Sequence, residues 1–144
     1  MSVVLEQLAK ARKINFKELA KEAIMANEKD IVNLNRDQQR KGQKGDGDMP
    51  EYYLASYLNY KRSLDSYFAG NKTDLFLTGD FQRGMKMNKT TEGVEITSLD
   101  KKTPDLLEKY GEQIFELNTD FKSQAYEKTD QTYFKMFHDI LQSK

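Results

Sequence analysis

Few of the 144 residues combine side-chain type and spacing in a way that chemistry requires. There is no cysteine, and the only histidine is His138. Disulfides, thiolate zinc sites, iron–sulfur clusters, cysteine nucleophiles and His-pair metal sites are excluded on that basis. A catalytic histidine needs a nucleophile and an orienting carboxylate around it. Asp139 follows His138, but successive helical residues point about 100° apart, and only i+3 and i+4 neighbours meet. His138 therefore reads as a surface or half-buried structural residue. Asp46, Asp48 and Glu51 have the look of a calcium-loop fragment. An EF-hand loop needs glycine at its sixth position and glutamate at its twelfth; counted from Asp46, those positions hold Glu51 and Tyr57. Nor does Gly42–Gly47 form a phosphate cradle. A Walker loop ends in Gly-Lys-Ser/Thr and opens a helix after a strand, whereas this stretch follows a helix and carries acids. No carboxylate pair stands out from the 23 acids, and spacing alone nominates no acid–base pair. The expectation is no catalytic residue, no metal and no cofactor.

One constellation points to binding. Arg40, Lys41, Lys44, Lys61 and Arg62 lie near five tyrosines between Tyr52 and Tyr67, and aromatics beside cations can stack single-stranded bases. Against this, Tyr53, Tyr57, Tyr60 and Tyr67 share one helical face, the pattern of a packing stripe with hydroxyls at its rim. The 23 basic and 23 acidic side chains cancel, so no chain-wide basic field exists to grip nucleic acid. A nucleic-acid-binding accessory role through those five cations stands as the alternative reading. The hydrophobic fraction of 38%, with 11% aromatics and 32% charged residues, is that of an ordered, surface-rich chain. No apolar run approaches the roughly 20 residues of a membrane span, and no signal-peptide h-region opens the sequence. No membrane association is expected, and the protein is expected to stay in a cytoplasm.

The elements that would position these residues follow from periodicity. The length suits a single domain, residues 1–144, with a core of its own. Val4, Leu5 and Leu8 indicate a short helix or arm within 1–14, with a break near Ile14. Phe16, Leu19, Ala20, Ala23 and Ile24, continued by Ile31 and Leu34, describe one long amphipathic helix. Asn15 caps its start, with Glu18 in the capping-box position, and Arg40, Lys41 and Gly42 close it. Residues 42–50 read as a flexible Gly/Asp loop. Pro50 prepares a second helix bearing Tyr53, Tyr57, Tyr60, Leu64 and Tyr67/Phe68, ended by Gly70. Leu75-Phe76-Leu77 leads into Thr78–Met85, where Thr78 is placed to cap one helical turn. A hairpin is expected where Met85/Met87 and Val94/Ile96 alternate with polar residues across Lys89–Gly93. Thr103-Pro104 reads as cap and first helical position, with a stop at Gly111. A last helix starts near Asn118 or Thr119 and presents Tyr133, Met136, Phe137, Ile140 and Leu141. The fold class is α+β, mostly helical, packed on a small antiparallel hairpin or sheet. Charge is mildly polarised: residues 1–72 hold 13 bases and 10 acids, and residues 73–144 the reverse.

The order of these parts carries a resemblance. A helix ends in Leu34-Asn35-Arg36-Asp37-Gln38-Gln39-Arg40-Lys41-Gly42, and a glycine/aspartate loop and Pro-Glu-Tyr-Tyr follow. Next come a lysine-bearing helix, Leu75-Phe76-Leu77-Thr78-Gly79-Asp80-Phe81 with Met85, the hairpin, and Tyr110–Leu117 before a final helix. Over roughly residues 16–142 this succession resembles the tail-completion or virion-morphogenesis (head–tail joining) proteins of tailed phages and prophages, in the version found in Bacteroides-type phages. Two departures are visible. The family's tryptophan after the Gly-Asp loop is replaced by Tyr52 and Tyr53, and its His-x-x-Gly element by Tyr110-Gly111.

The resemblance implies a non-enzymatic virion component of the neck or tail junction. It would be assembled in the bacterial host cytoplasm, as a homo-oligomeric ring, against the portal or connector, tail tube or tail terminator. Within Thr78, Gly79, Asp80, Phe81, Gly84 and Met85, the two glycines flank a turn that tolerates no Cβ, and Phe81 and Met85 face the core together. The expected contact surfaces are loops, where binding residues concentrate: Lys41, Lys44, Asp46 and Asp48 in one, and the hairpin tip Thr90, Thr91, Glu92 and Gly93 in the other.

Overall fold

The computed structural model describes residues 2–51, 55–64, 72–76 and 79–143. Its described elements run in the order α1 (Val3–Arg12), α2 (Phe16–Ala26), α3 (Glu28–Arg40), β1 (Gln43–Lys44), β2 (Gly47–Asp48) and α4 (Ala55–Leu64). They continue as α5 (Asp80–Arg83), β3 (Met85–Lys89), β4 (Val94–Ser98), α6 (Thr103–Tyr110), a 3-10 turn (Glu112–Phe115) and α7 (Thr119–Gln142). The fold is α+β and mostly helical, with two small antiparallel two-stranded sheets, β1–β2 and β3–β4.

The single long helix expected from Phe16 onward is two helices. Asn27 ends α2 and precedes α3, with φ −103° and ψ 20°. Its side chain turns back to donate to the Ala23 carbonyl at 2.9 Å and to Thr132 Oγ1 on α7 at 2.8 Å. Asparagine offers the backbone a local alternative to the helix ladder, and here the bond to α7 fixes that alternative. The expected stripe survives across the break in Leu19, Ala23, Ile31 and Leu34, all buried, whereas Phe16 is exposed. Asn15 Oδ1 accepts the Glu18 amide at 3.1 Å, as a cap should. Asn118 does the same for Phe121 at the start of α7. Thr103 differs from expectation: Lys102 occupies the cap position, and the Thr103 hydroxyl donates to the Ser98 carbonyl at 3.2 Å.

The main hairpin pairs Met85 with Ser98, Met87 with Ile96 and Lys89 with Val94. Met87 N–H donates to Glu28 Oε2 at 2.7 Å, which ties the hairpin to the start of α3. Two apolar clusters form the core. One joins Ile31, Val32, Leu34, Met85, Met87, Phe121 and Ala125 beneath the hairpin. The other gathers Met49, Phe81 and Ile114, and Phe115 packs against both. Along α7, Tyr133, Met136, Phe137, Ile140 and Leu141 are each half-buried, on the helix that packs against α2 and α1.

Candidate functional site

The Thr78–Met85 motif is a backbone device, with Thr78 itself outside the described residues. Gly79 has φ +86°, and a Cβ there would meet Arg83 Nη1 at 2.8 Å and the Phe76 ring at 3.1 Å. Left-handed backbone and close approach together demand glycine. Gly84 has ordinary φ, and its constraint is proximity: a Cβ would lie 2.9 Å from Ser98 Oγ and 3.1 Å from the Asp100 amide nitrogen. Asp80 pairs with Arg83 on the exposed side of the one-turn helix α5. Phe81 and Met85 are both buried, but they enter different clusters. The expected joint i, i+4 face fails because the chain leaves the helix at Gly84 and enters β3.

Polar groups converge on the inner side of α3. Ile31, Leu34, Asn35 and Gln38 continue one buried stripe in which amides replace aliphatics. Gln38 donates to the Glu116 carbonyl at 2.8 Å and accepts the Asn118 amide at 2.7 Å. Asn35 and Gln39 both donate to the Ile114 carbonyl at 3.1 Å. Gln82 donates to Gln39 Oε1 at 3.2 Å, and Arg36 Nε donates to the Gln82 carbonyl at 2.8 Å. These side chains satisfy backbone groups of Leu75, Gln82, Ile114, Glu116 and Asn118 as a neighbouring strand would. Their signal in the sequence is the repeating stripe that continues Ile31 and Leu34.

The five cations of the proposed nucleic-acid patch are not gathered on one surface. Lys61 is fully buried, with Nζ 2.8 Å from Asp74 Oδ1, and Arg40 Nη1 lies 2.8 Å from Asp74 Oδ2. Asp74 is itself buried, and its Oδ1 also accepts the Phe76 amide at 3.1 Å. The Arg40 guanidinium stacks over the Phe76 ring at 4.0 Å. Lys41 lies over Phe121, and Lys44 is 3.6 Å from Asp46. Arg62 is exposed on α4. The expected tyrosine stripe differs at the same place: Tyr60 and Leu64 are exposed, and among the described side chains of α4 Lys61 is the buried one. Tyr53, Tyr67 and Phe68 lie outside the described residues.

The expected contact loops are structured and anchored from behind. The Gly/Asp segment forms the β1–β2 hairpin, with Gly45 N–H donating to the Gln113 carbonyl at 2.8 Å and Lys72 pairing with Asp48 at 2.7 Å. The tip Thr90–Gly93 closes on a Thr90 amide to Gly93 carbonyl bond of 2.8 Å. Buried Lys21 reaches the Thr91 carbonyl at 3.0 Å, and Lys17 approaches Glu92 at 3.6 Å. His138 is exposed. Among the described residues, no group of three or more His, Cys, Asp or Glu side chains is placed to hold a metal ion, and no helix is long and apolar enough to cross a membrane.

Two surface features remain. The first is α1, whose Val4, Leu5 and Leu8 share a side that faces water, 64%, 55% and 48% exposed, while Val3, 67% exposed at the first turn, lies on the side of Gln7 and Lys10. Its inner side carries Gln7, Lys10 and Ala11, and Lys10 Nζ donates to the Leu141 carbonyl at 3.4 Å and to the Ser143 carbonyl. The second is a groove of about 760 Å³ between the β3–β4 hairpin, the 3-10 turn and the first half of α7. Ile24, Met87, Val94, Ile96, Leu107 and Phe115 are among its apolar lining. Its rim carries Glu95, Glu112 and Glu116 against one cation, Lys122, all four exposed. Neither the outward turn of α1 nor this groove has a signal in the sequence pattern.

No family model, no curated protein and no solved structure matches the chain.

Proposed function

We propose that the protein is a non-enzymatic structural component of a phage particle, acting at the neck or tail junction through protein–protein contacts as a homo-oligomeric ring. The order of sequence elements over residues 16–142 supplies the virion part of this reading. The assembly part rests on one observation: α1 turns Val4, Leu5 and Leu8 to solvent while Gln7, Lys10 and Ala11 lie toward the body of the fold. Contiguous exposed aliphatics of that kind favour a protein partner. The buried amides of α3 hold backbone and the buried Lys61 of α4 pairs with Asp74, which leaves the exterior to carry the function. The fitting partners are further copies of the chain and a portal or connector, tail tube or tail terminator protein.

Mass photometry of the purified chain, alone and with portal and tail-tube proteins, tests the reading. Closed oligomers or a stoichiometric complex with one of those proteins are expected. A chain that stays monomeric and binds none of them overturns it. Affinity for single-stranded DNA that falls steeply with salt would favour the nucleic-acid alternative.

A further inference from the structure

We propose that α1 of one copy seats in the acidic-rimmed groove of the next copy, a head-to-tail contact that rests on the self-assembly part of the reading above. Both halves of the contact are unsatisfied in the isolated chain. α1 presents Val4, Leu5 and Leu8 outward, and the groove offers an apolar floor from Ile24, Val94, Ile96 and Leu107. The charges match in sign. Exposed Arg12 and Lys13 end the arm, and Glu95, Glu112 and Glu116 outnumber Lys122 around the groove. Such complementarity fixes orientation and partner choice.

Geometry assigns the occupant to another copy. Lys10 fastens α1 to the Leu141 and Ser143 end of α7, whereas the groove borders Lys122, Tyr126 and Thr129 near the other end. At 1.5 Å per residue, Tyr126 and Leu141 are about 22 Å apart along the helix. An arm fixed at one end therefore cannot fill the groove at the other. Two different patches on opposite ends of a molecule make a heterologous contact, which closes into a ring or continues as a filament.

The cysteine-free chain allows a clean trapping experiment. Full-length Val4→Cys and Thr97→Cys proteins, each carrying one cysteine, are mixed under mild oxidation. A disulfide-linked heterodimer is expected in the mixture, suppressed when Glu95, Glu112 and Glu116 are changed to Lys in the groove partner. Leu5→Gln with Leu8→Gln should weaken self-association about a hundredfold, each leucine contributing roughly tenfold, and the added glutamines preserve helix propensity. Four results overturn the proposal. Val4–Val4 dimers in place of heterodimers would show α1 packing on itself, and oligomers that ignore the α1 and rim changes would place the contact elsewhere. A monomer that floats with anionic phosphatidylserine vesicles through Leu5 and Leu8 would make α1 a lipid-binding face. A chain that stays monomeric yet binds portal or tail-tube protein would end the docking proposal and leave the virion reading standing.

Discussion

α3 and α1 are both amphipathic, and the fold uses them in opposite senses. α3 turns Asn35, Gln38 and Gln39 inward, each almost fully buried, and bonds them to the Ile114 and Glu116 carbonyls and the Asn118 amide of one remote segment. α1 turns its aliphatics outward and holds the body through Lys10. In most soluble helices the apolar stripe faces the core. α3 keeps that stripe in Ile31 and Leu34 and extends it with amides, because the backbone groups of Ile114, Glu116 and Asn118 need donors and acceptors once buried. No comparable need explains α1, whose exposed side chains gain only by meeting another surface. The difference separates what fixes the fold from what is left over for association, and substitutions should respect it.

The sharpest contrast comes from the polar interior. Asp74→Ala removes the carboxylate that pairs with buried Lys61 and with Arg40; breaking a buried pair this way costs about 3–5 kcal/mol. Thermal unfolding should then fall by about 10–15 °C. Asp74→Asn should lose less, since it retains an acceptor for the Phe76 amide. An unchanged melting temperature for Asp74→Ala would mean that the cluster holds nothing together. Gly79→Val comes next, at about 2–3 kcal/mol, because a β-branched residue at φ +86° is strained and its Cβ meets Arg83 and Phe76. Normal stability of that variant in a urea titration would remove the special-turn argument. Gln38→Leu should cost about 1–2 kcal/mol, since the Glu116 carbonyl and Asn118 amide lose their partner. Amide hydrogen exchange at Asn118 would report the loss locally, and unchanged protection would refute the bridging role.

Legibility in the sequence followed the same division. The hairpin, the cap at Asn15, the stop at Gly111 and the start of α7 each rest on short-range rules, and each was readable. The break at Asn27 was not, because its bond to Thr132 spans 105 positions of sequence. The pairing of Arg40 and Lys61 was hidden for a related reason. Lys61 and Arg40 look like surface cations until Asp74 arrives between them, and no local pattern announces that meeting. The amides of α3 were half legible, as they continue the stripe of Ile31 and Leu34, but their carbonyl partners belong to remote segments. The orientation of α1 was least legible. Val4, Leu5 and Leu8 define a helix face and carry no mark of whether that face meets the core or water.

That blind spot makes the mildest stability prediction the most informative about α1. Leu5→Gln with Leu8→Gln should change unfolding free energy by no more than about 0.5 kcal/mol, as surface substitutions do, because both side chains are already about half exposed or more in the isolated chain. Circular dichroism under dilute conditions, where the chain is monomeric, should give superimposable melts for the two proteins. At high concentration the parent's melting temperature should rise with protein concentration through mass action, and the variant's should not. A clear destabilisation at dilution would show that these leucines support the monomer, placing α1 with α3 among the elements that fix the fold. Equal melts at dilution and divergence only on concentration would locate the value of α1 outside its own chain, which is the reason an aliphatic face is kept in water.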